Sequence, residues 1–450
     1  MKKEVVLVFD IGKTNKKILL FDRDLKIRHE EERIFDEIAD DDGFMGDDIG
    51  KLEAWIMEGC RRFLEDPRFE IKGINFATYG ATLMYLDDKG KRLTPVYNYL
   101  KPMPEGVVEP LYEAHGGEAE FCRRTASPAL GMLNSGLQAL WLKEKKPAVF
   151  EQVKTLLHFP QYLSCLLTGV PGSEHTSIGC HTALWDFDHM QYHPWTRMLG
   201  DVLPDPLAVE TTFPSKVFDR TIPVGIGIHD SSSSLAPYFM ASDDAFILVS
   251  TGTWCISMNP FNEEPLTDDQ LKRDCLAYMS IQKKPVKSSR LFMGRIHDVN
   301  MEHLNRLYGA SASAYKEVQL DQELLAGLLE KDAGRVFFAG GVPEDYLDTS
   351  IAKERFASFG EAYHRLMIDL AGLTADSIRL IIPGNDRTRR MYVSGGFSKN
   401  PIFLHLLASH FPEKEVVRSE VANATSLGAA LITWKGIDPG YSPEIDLGIL

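Results

Sequence analysis

Cysteine is scarce here and poorly spaced for metal or redox chemistry. The six cysteines stand at positions 60, 122, 165, 180, 255 and 275, and no two form a C-x-x-C pair. That spacing excludes a zinc ribbon and a thioredoxin-type motif. It predicts six reduced thiols, mostly buried, in a reducing compartment. Long apolar runs are missing as well, none approaching the ~20 residues that span a bilayer. The run at residues 5–9 is too short for a signal-peptide core and stops at Asp10 without a small-residue cleavage site. A soluble, cytoplasmic protein is the expectation. Positive charge is in deficit: 49 Lys and Arg face 64 Asp and Glu, a formal net charge of -15. Such a balance argues against nucleic acid or an anionic membrane as partner. It leaves room for an anionic small molecule, because backbone N–H groups in a turn bind phosphate inside an acidic protein.

Two familiar phosphate-binding strings are also absent. No G-x-x-x-x-G-K-[ST] occurs. Gly225-Ile226-Gly227 lacks the third glycine of a dinucleotide fingerprint, and Gly12 runs into a strand instead of a helix. What remains is a globular composition, 44% hydrophobic and 25% charged over 450 residues. At about 100–200 residues per domain this length predicts two to four domains. Strands are predicted at residues 5–9, 18–21, 27–34, 71–78, 83–86, 222–228, 245–250, 254–258, 335–339 and 391–394. Helices are predicted at 49–64, 133–145, 160–167, 354–372, 401–411 and 424–434, with residues 105–200 mostly helical. The acidic stretch 36–48 reads as a solvated loop, with a metal site the lesser alternative because EF-hand spacing is absent. Strands mixed with helices throughout define an α/β protein.

One pattern occurs twice. An apolar strand, Asp10-Ile11-Gly12-Lys13-Thr14-Asn15 and a returning strand are echoed by residues 245–249, Ser250-Thr251-Gly252-Thr253 and a returning strand. Half a chain separates the copies, which predicts two similar lobes, each presenting one hairpin turn. Glycine lets the backbone approach a ligand with no Cβ in the way. Thr14, Thr251 and Thr253 add hydroxyls, and Lys13, Lys16 or Lys17 adds a positive charge. Asp10 would repel phosphate unless Mg²⁺ lay between them, held through water in that ion's usual manner. Together these features predict a nucleoside triphosphate clasped between two hairpins. A third turn, Ser394-Gly395-Gly396-Phe397-Ser398-Lys399-Asn400, precedes a helix opened by Pro401. Its two glycines suit a flat adenine or a ribose lying on bare backbone.

The most informative stretch is Gly225-Ile226-Gly227-Ile228-His229-Asp230-Ser231. A strand ends at His229-Asp230 and a small-residue helix follows. A carboxylate at that place is a ready base for phosphoryl transfer to a hydroxyl; Asp230 reads equally as the cap of the helix. His229 reads as an orienting residue and sugar contact.

The ordered set of motifs resembles the FGGY carbohydrate kinases, in the branch of rhamnulokinase and fuculokinase. It comprises Asp10-Ile11-Gly12-Lys13-Thr14-Asn15, Thr78-Tyr79-Gly80, Tyr162-Leu163 with Leu167-Thr168-Gly169, His229-Asp230, Ser250-Thr251-Gly252-Thr253-Trp254, Gly395-Gly396 with Asn400-Pro401, and Ser426-Leu427-Gly428-Ala429-Ala430. The resemblance implies an α/β fold of two ribonuclease-H-like lobes, of the actin and hexokinase type, around a deep cleft. Residues 1–236 would form the sugar lobe and residues 237–450 the ATP lobe. Asp230 would be the general base, with Thr78, Tyr79, Gly80, His229 and Ser231 on the sugar. ATP would lie against Gly12, Lys13, Thr14, Asn15, Thr251, Gly252, Thr253, Gly395, Gly396 and Asn400. Asp10 would serve Mg²⁺ through water.

Departures from the family pattern bear on the sugar. Tyr79 stands where rhamnulokinases usually show Trp, and Gln161 replaces an acidic residue. Residues 280–287 share nothing with the family's Asn-Glu-Gly-Gly stretch; Lys283, Lys284 and Lys287 read there as a solvated loop, the alternative being cations that face the phosphates. The expected reaction is ATP-dependent phosphorylation of a terminal hydroxyl on a free ketose or deoxyketose, by a monomer or homodimer. Competing readings are an actin-like or chaperone-like ATPase switch and a non-catalytic sugar sensor. The intact Asp10, Asp230 and Thr253 weigh against the sensor.

Overall fold

Residues 5–9 are apolar at every position and every one of them is fully buried, as in a strand covered on both faces. They form the middle of the strand Lys3–Ile11 in the computed structural model, which describes residues 2–449. That strand returns antiparallel as Asn15–Asp22, and its other edge runs parallel to Phe69–Thr78. The sheet extends to Ile27–Ile34 on one side, and to Arg220–Gly225 and Thr212–Val217 on the other. Ile228–His229 pairs with the end of Phe69–Thr78. A second sheet repeats this plan. Phe246–Thr251 is antiparallel to Cys255–Asn259 and parallel to Arg390–Gly395; Pro285–Leu291, Cys275–Met279 and Glu415–Arg418 complete it. The echo in the sequence is thus one hairpin repeated in two lobes.

Alternation along each central strand decides which helix covers which face. Val5, Leu7, Phe9 and Ile11 pack with Leu52, Trp55, Ile56, Cys60 and Phe63 of the helix Ile49–Glu65. Val6 and Val8 pack with Leu427, Leu431 and Trp434 of the helix Ala424–Ile437. In the second lobe, Phe246 and Leu248 rest with Leu235 and Tyr238 of the helix Asp230–Ala241. Ile247 and Val249 pack with Leu366 and Leu370 of the helix Phe359–Arg379. The helices Asp230–Ala241 and Ala424–Ile437 touch one another between the sheets. They meet at Gly428, where an added Cβ would stand 1.9 Å from the Ser233 carbonyl oxygen. Gly428→Ala is therefore expected to cost about 1–3 kcal/mol through forced separation of the helices, read as a lowered Tm.

The region between residues 105 and 200 differs from its mostly helical reading. Short helices, among them Ser135–Lys145 and Phe159–Thr168, are interleaved with strands; Thr155–His158 pairs with Leu83–Leu86. It has its own core around Tyr97, Trp141 and Trp195. Residues 335–339 are not a strand. The Val336 and Phe338 amides donate to the carboxylates of Asp369 and Asp348, and Phe338 turns left-handed at φ 60. Those bonds bend an apolar run that reads as extended. The helix expected from residue 354 begins at Phe359, because the Ser358 hydroxyl caps it by accepting from the Glu361 amide. The strand over 222–228 breaks after Gly225; Gly227, at φ 88, lies against the Pro160 carbonyl.

The acidic stretch is less solvated than its composition implies. Asp40 and Asp47 are buried, and Lys101, Lys13 and Lys16 hold their carboxylates. Lys287 is buried too, donating to the Pro265 carbonyl, whereas Lys284 pairs at the surface with Glu263. All six cysteines are free, five of them buried and Cys165 half-buried. Among the described residues no helix is long and apolar enough to cross a membrane.

Candidate functional site

The first hairpin brings Asp10 to the wall of one cavity, and the second brings Gly252 and Thr253 to the wall of its neighbour. In the first, the Gly12 amide donates to the Asn15 carbonyl at 2.9 Å, and a Cβ on Gly12 would stand 2.9 Å from that oxygen. Thr14 and Asn15 are exposed at its tip. In the second, the Gly252 amide donates to the Trp254 carbonyl at 2.9 Å, which leaves Gly252 and Thr253 exposed. Thr251 is buried. Its hydroxyl donates to the Ser394 carbonyl and accepts from the Phe397 amide at 3.1 Å, so it ties this turn to the glycine pair. Thr78 is fully buried as well, with its hydroxyl on the Tyr79 carbonyl. Both threonine hydroxyls are thus engaged with backbone.

Asp10 and Asp230 share a cavity of about 840 Å³, walled also by Ser231, Gly395, Gly396 and Thr425. At Gly396 and Lys399 it meets a second cavity of about 620 Å³, lined by Thr253, Gly294, Tyr315, Tyr363 and Asn400. The pair gives a polar end with two carboxylates and an end with aromatic walls. Gly294 allows its helix to approach the second turn: a Cβ there would lie 2.3 Å from the Gly252 carbonyl oxygen. Asn400 caps the helix Pro401–His410 through its Oδ1 and donates to the Tyr363 hydroxyl at 2.7 Å.

Asp230 opens its helix as the first helical residue, and His229 holds the cap position. One carboxylate oxygen of Asp230 accepts from the Ser231 amide at 2.6 Å and lies 3.1 Å from His229 Nε2. Burial pushes this carboxyl up to about 6. Asp10 is likewise raised to about 6, chiefly by burial; the Ser426 hydroxyl it accepts from works the other way and the Asp230 charge adds to the rise. Among the described residues neither carboxylate forms an ion pair with Lys or Arg, although Lys17 acts on Asp10 through space. Burial drives His229 down to about 4, so its imidazole is neutral at pH 7.

Tyr79 and Gly80 lie beside this pair. A Cβ on Gly80 would stand 3.1 Å from the His229 ring, so glycine makes room for the imidazole. The Tyr79 hydroxyl donates to Asp47 at 2.8 Å. Lys13 is also engaged there, its ammonium 2.7 Å from Asp47 and 3.0 Å from Glu37. Gln161 is buried outside the cleft, donating to the Gly227 carbonyl at 3.0 Å. It steadies the turn that leads to His229.

Several participants escaped the sequence reading. Ser426, on the last helix, reaches Asp10, and the Lys17 ammonium donates to Asn423 at 2.9 Å in the cavity wall. Glu174, fully buried and pushed up to about 7 by that burial, receives the Thr176 hydroxyl; the same oxygen accepts from the His229 amide at 3.1 Å. Tyr99 stands edge-on to Tyr79 at 6.1 Å. Of these, Ser426 carried a signal as part of the small-residue run that opens its helix, and Lys17 was legible only as a positive charge near the first turn.

Residues 5–205 match the profile of the FGGY family of carbohydrate kinases, N-terminal domain, and residues 243–440 match that of carbohydrate kinase FGGY, C-terminal domain. A rhamnulokinase of Mannheimia succiniciproducens is 26% identical over 278 residues, covering 59% of this chain and 55% of the relative. A rhamnulokinase of Yersinia pestis is 28% identical over 249 residues, covering 53% and 49%. The matched part spans about half the length of these curated relatives. Among solved structures, a carbohydrate kinase from Novosphingobium aromaticivorans superposes with TM-score 0.78 at 25% identity, covering 99% of this chain and 96% of that one. A xylulose kinase from Lactobacillus acidophilus gives 0.74 at 15% identity, covering 99% and 92%. At that identity the second likeness is one of fold: two lobes of the actin and hexokinase type.

Proposed function

The chain belongs to the FGGY family of carbohydrate kinases, and from that premise we propose that it transfers the terminal phosphoryl group of ATP to a terminal hydroxyl of a free ketose or deoxyketose, of the rhamnulose, fuculose or xylulose type. The observation that carries this reading is the meeting of Asp10, Asp230 and the Gly395-Gly396 turn on one cleft that continues into an aromatic groove. The sugar lies on the lobe formed by residues 1–236, and ATP chiefly on residues 237–450, with adenosine in the groove and phosphates between the hairpins. The names of the related rhamnulokinases and of the xylulose kinase of like fold favour a ketose.

Asp230 is the general base. Its carboxylate takes the proton of the acceptor hydroxyl while that oxygen bonds to the terminal phosphorus and the bond to ADP breaks. The proton then leaves Asp230 to solvent. Neutral His229, 3.1 Å away, holds the carboxylate in place, and Gly80 gives that ring its room. Thr14 and Thr253 offer donors to the phosphates, and Gly252 keeps the second turn free of a side chain there. Two half-buried carboxylates, neither bonded to Lys or Arg among the described residues and both raised by desolvation, make the hard-oxygen setting that Mg²⁺ takes, and Asp10 would hold that ion through water. When bound, Mg²⁺ neutralises phosphate charge. Closing of the lobes excludes water and limits wasteful hydrolysis of ATP.

ADP release measured over pentuloses, hexuloses, their deoxy forms and polyols tests the reading. Strong stimulation by one ketose is the expected result. A rate that no sugar changes supports an ATPase switch instead, and sugar binding without turnover supports a sensor; either outcome ends the kinase assignment.

A further inference from the structure

A lysine in a phosphate-facing turn ordinarily serves phosphate, yet the first hairpin divides its cations. Lys17 donates to Asn423 in the wall shared with Asp10. The Lys13 ammonium is held elsewhere, 2.7 Å from Asp47 and 3.0 Å from Glu37, and 5.9 and 6.0 Å from the ring centres of Tyr79 and Tyr99. Asp47 is the hub of this cluster. It accepts from the Lys16 ammonium at 3.0 Å and from the Tyr79 hydroxyl at 2.8 Å as well. From Lys13 a chain of contacts leads to the base. Tyr79 is followed by Gly80, Gly80 lies against the His229 ring, and His229 lies against Asp230. The Asp230 charge also reaches the Tyr99 phenol, as does that of Lys13.

We propose that Lys13 determines sugar specificity and does not serve phosphate: its ammonium, held by Asp47 and Glu37 beside Tyr79 and Tyr99, donates to one hydroxyl oxygen remote from the reacting one and selects neutral ketoses over sugar acids. The proposal rests on the kinase reading of the cleft. An ammonium has three N–H donors, and two of Lys13's are taken by carboxylates, which leaves one for a ligand. The cluster is balanced in charge, Lys13 and Lys16 against Asp47 and Glu37. A hydroxyl fits such a place because it accepts from the ammonium and donates to a neighbouring carboxylate. A sugar acid finds no unpaired cation there and meets the carboxylates of Asp47 and Asp230, so its desolvation is not repaid.

The test uses the full chain and the ketose that stimulates ADP release. Lys13→Met is expected to raise KM for that ketose by about 10–100-fold, the weight of a hydrogen bond to a charged group, with KM for ATP within about twofold of the starting enzyme. Gluconate, as the probe acid, is expected neither to react nor to inhibit the unaltered enzyme. Glu37→Gln removes the exposed partner and leaves one cation unmatched, and gluconate is then expected to inhibit in competition with the ketose. A rise in KM for ATP with the ketose KM unmoved overturns the proposal, as does no change in either. Should Lys13→Met fail to fold by its thermal melt, Glu37→Gln decides, and absence of gluconate inhibition overturns it. If no ketose stimulates the unaltered enzyme, the kinase reading itself has failed, a result seen before any variant is made.

Discussion

Asp230→Ala is expected to lower kcat by about 10²–10⁴-fold, the usual weight of a general base, with nucleotide affinity nearly unchanged. The carboxylate sits where a strand hands over to a helix, anchored by the Ser231 amide at 2.6 Å and by His229 at 3.1 Å. Nothing in that arrangement holds the nucleotide, so the loss should fall on kcat. The base works only when ionised. With its carboxyl raised to about 6, turnover is expected to fall as pH drops through that value. The same shift has an opposite sign for stability. Between the ordinary value of 3.8 and about 6 the folded chain binds a proton that the unfolded chain does not. This group therefore favours the fold as pH falls through that window and opposes it above. Asp230→Asn, alike in shape but uncharged, is expected to raise Tm at pH 7 while kcat collapses. A catalytically dead variant with lowered Tm would show the carboxylate to be structural.

Gly395→Ala is the second large effect. Gly395 takes φ 85, a left-handed conformation that side chains strain, and its Cβ would stand 1.8 Å from the Thr251 carbonyl oxygen. Thr251 is also the residue whose hydroxyl joins Ser394 to the Phe397 amide. Separating the two strands there moves the second hairpin turn and the glycine turn together. A displacement of about 1 Å costs on the order of 10²-fold where donors are preset for a ligand, so a loss of that size is expected in ATP binding by calorimetry. Gly396→Ala meets nothing within 4 Å and is the matched control, expected to bind ATP almost normally. Equal losses in both variants would refute the steric account.

What could be read in the chain divides by the range of the interactions involved. Both hairpins were legible because an apolar strand, a glycine turn and a returning strand are local facts. So was the helix after Asp230, whose small residues follow a strand end. Residues 335–339 were misread because the same apolar run, Val336-Phe337-Phe338, is bent by carboxylates at 348 and 369 that no window around it contains. The acidic stretch 36–48 misled for a like reason: the partners of Asp47 lie at 13, 16 and 79. Lys13 was visible as a cation in the turn, but its direction depends on that distant aspartate. Ser426 was visible in a motif, yet its reach back to Asp10 spans almost the whole chain.

That last separation has a consequence during synthesis. The face of the first sheet carrying Val6 and Val8 is covered by the helix Ala424–Ile437, and 416 positions part Asp10 from Ser426. At about 5–20 residues per second of translation, the ribosome holds this greasy plane uncovered for about 20–80 s before its lid emerges. The first lobe is therefore the last to finish folding although it is the first to be made, and its Val6 and Val8 face stays open to solvent throughout that interval.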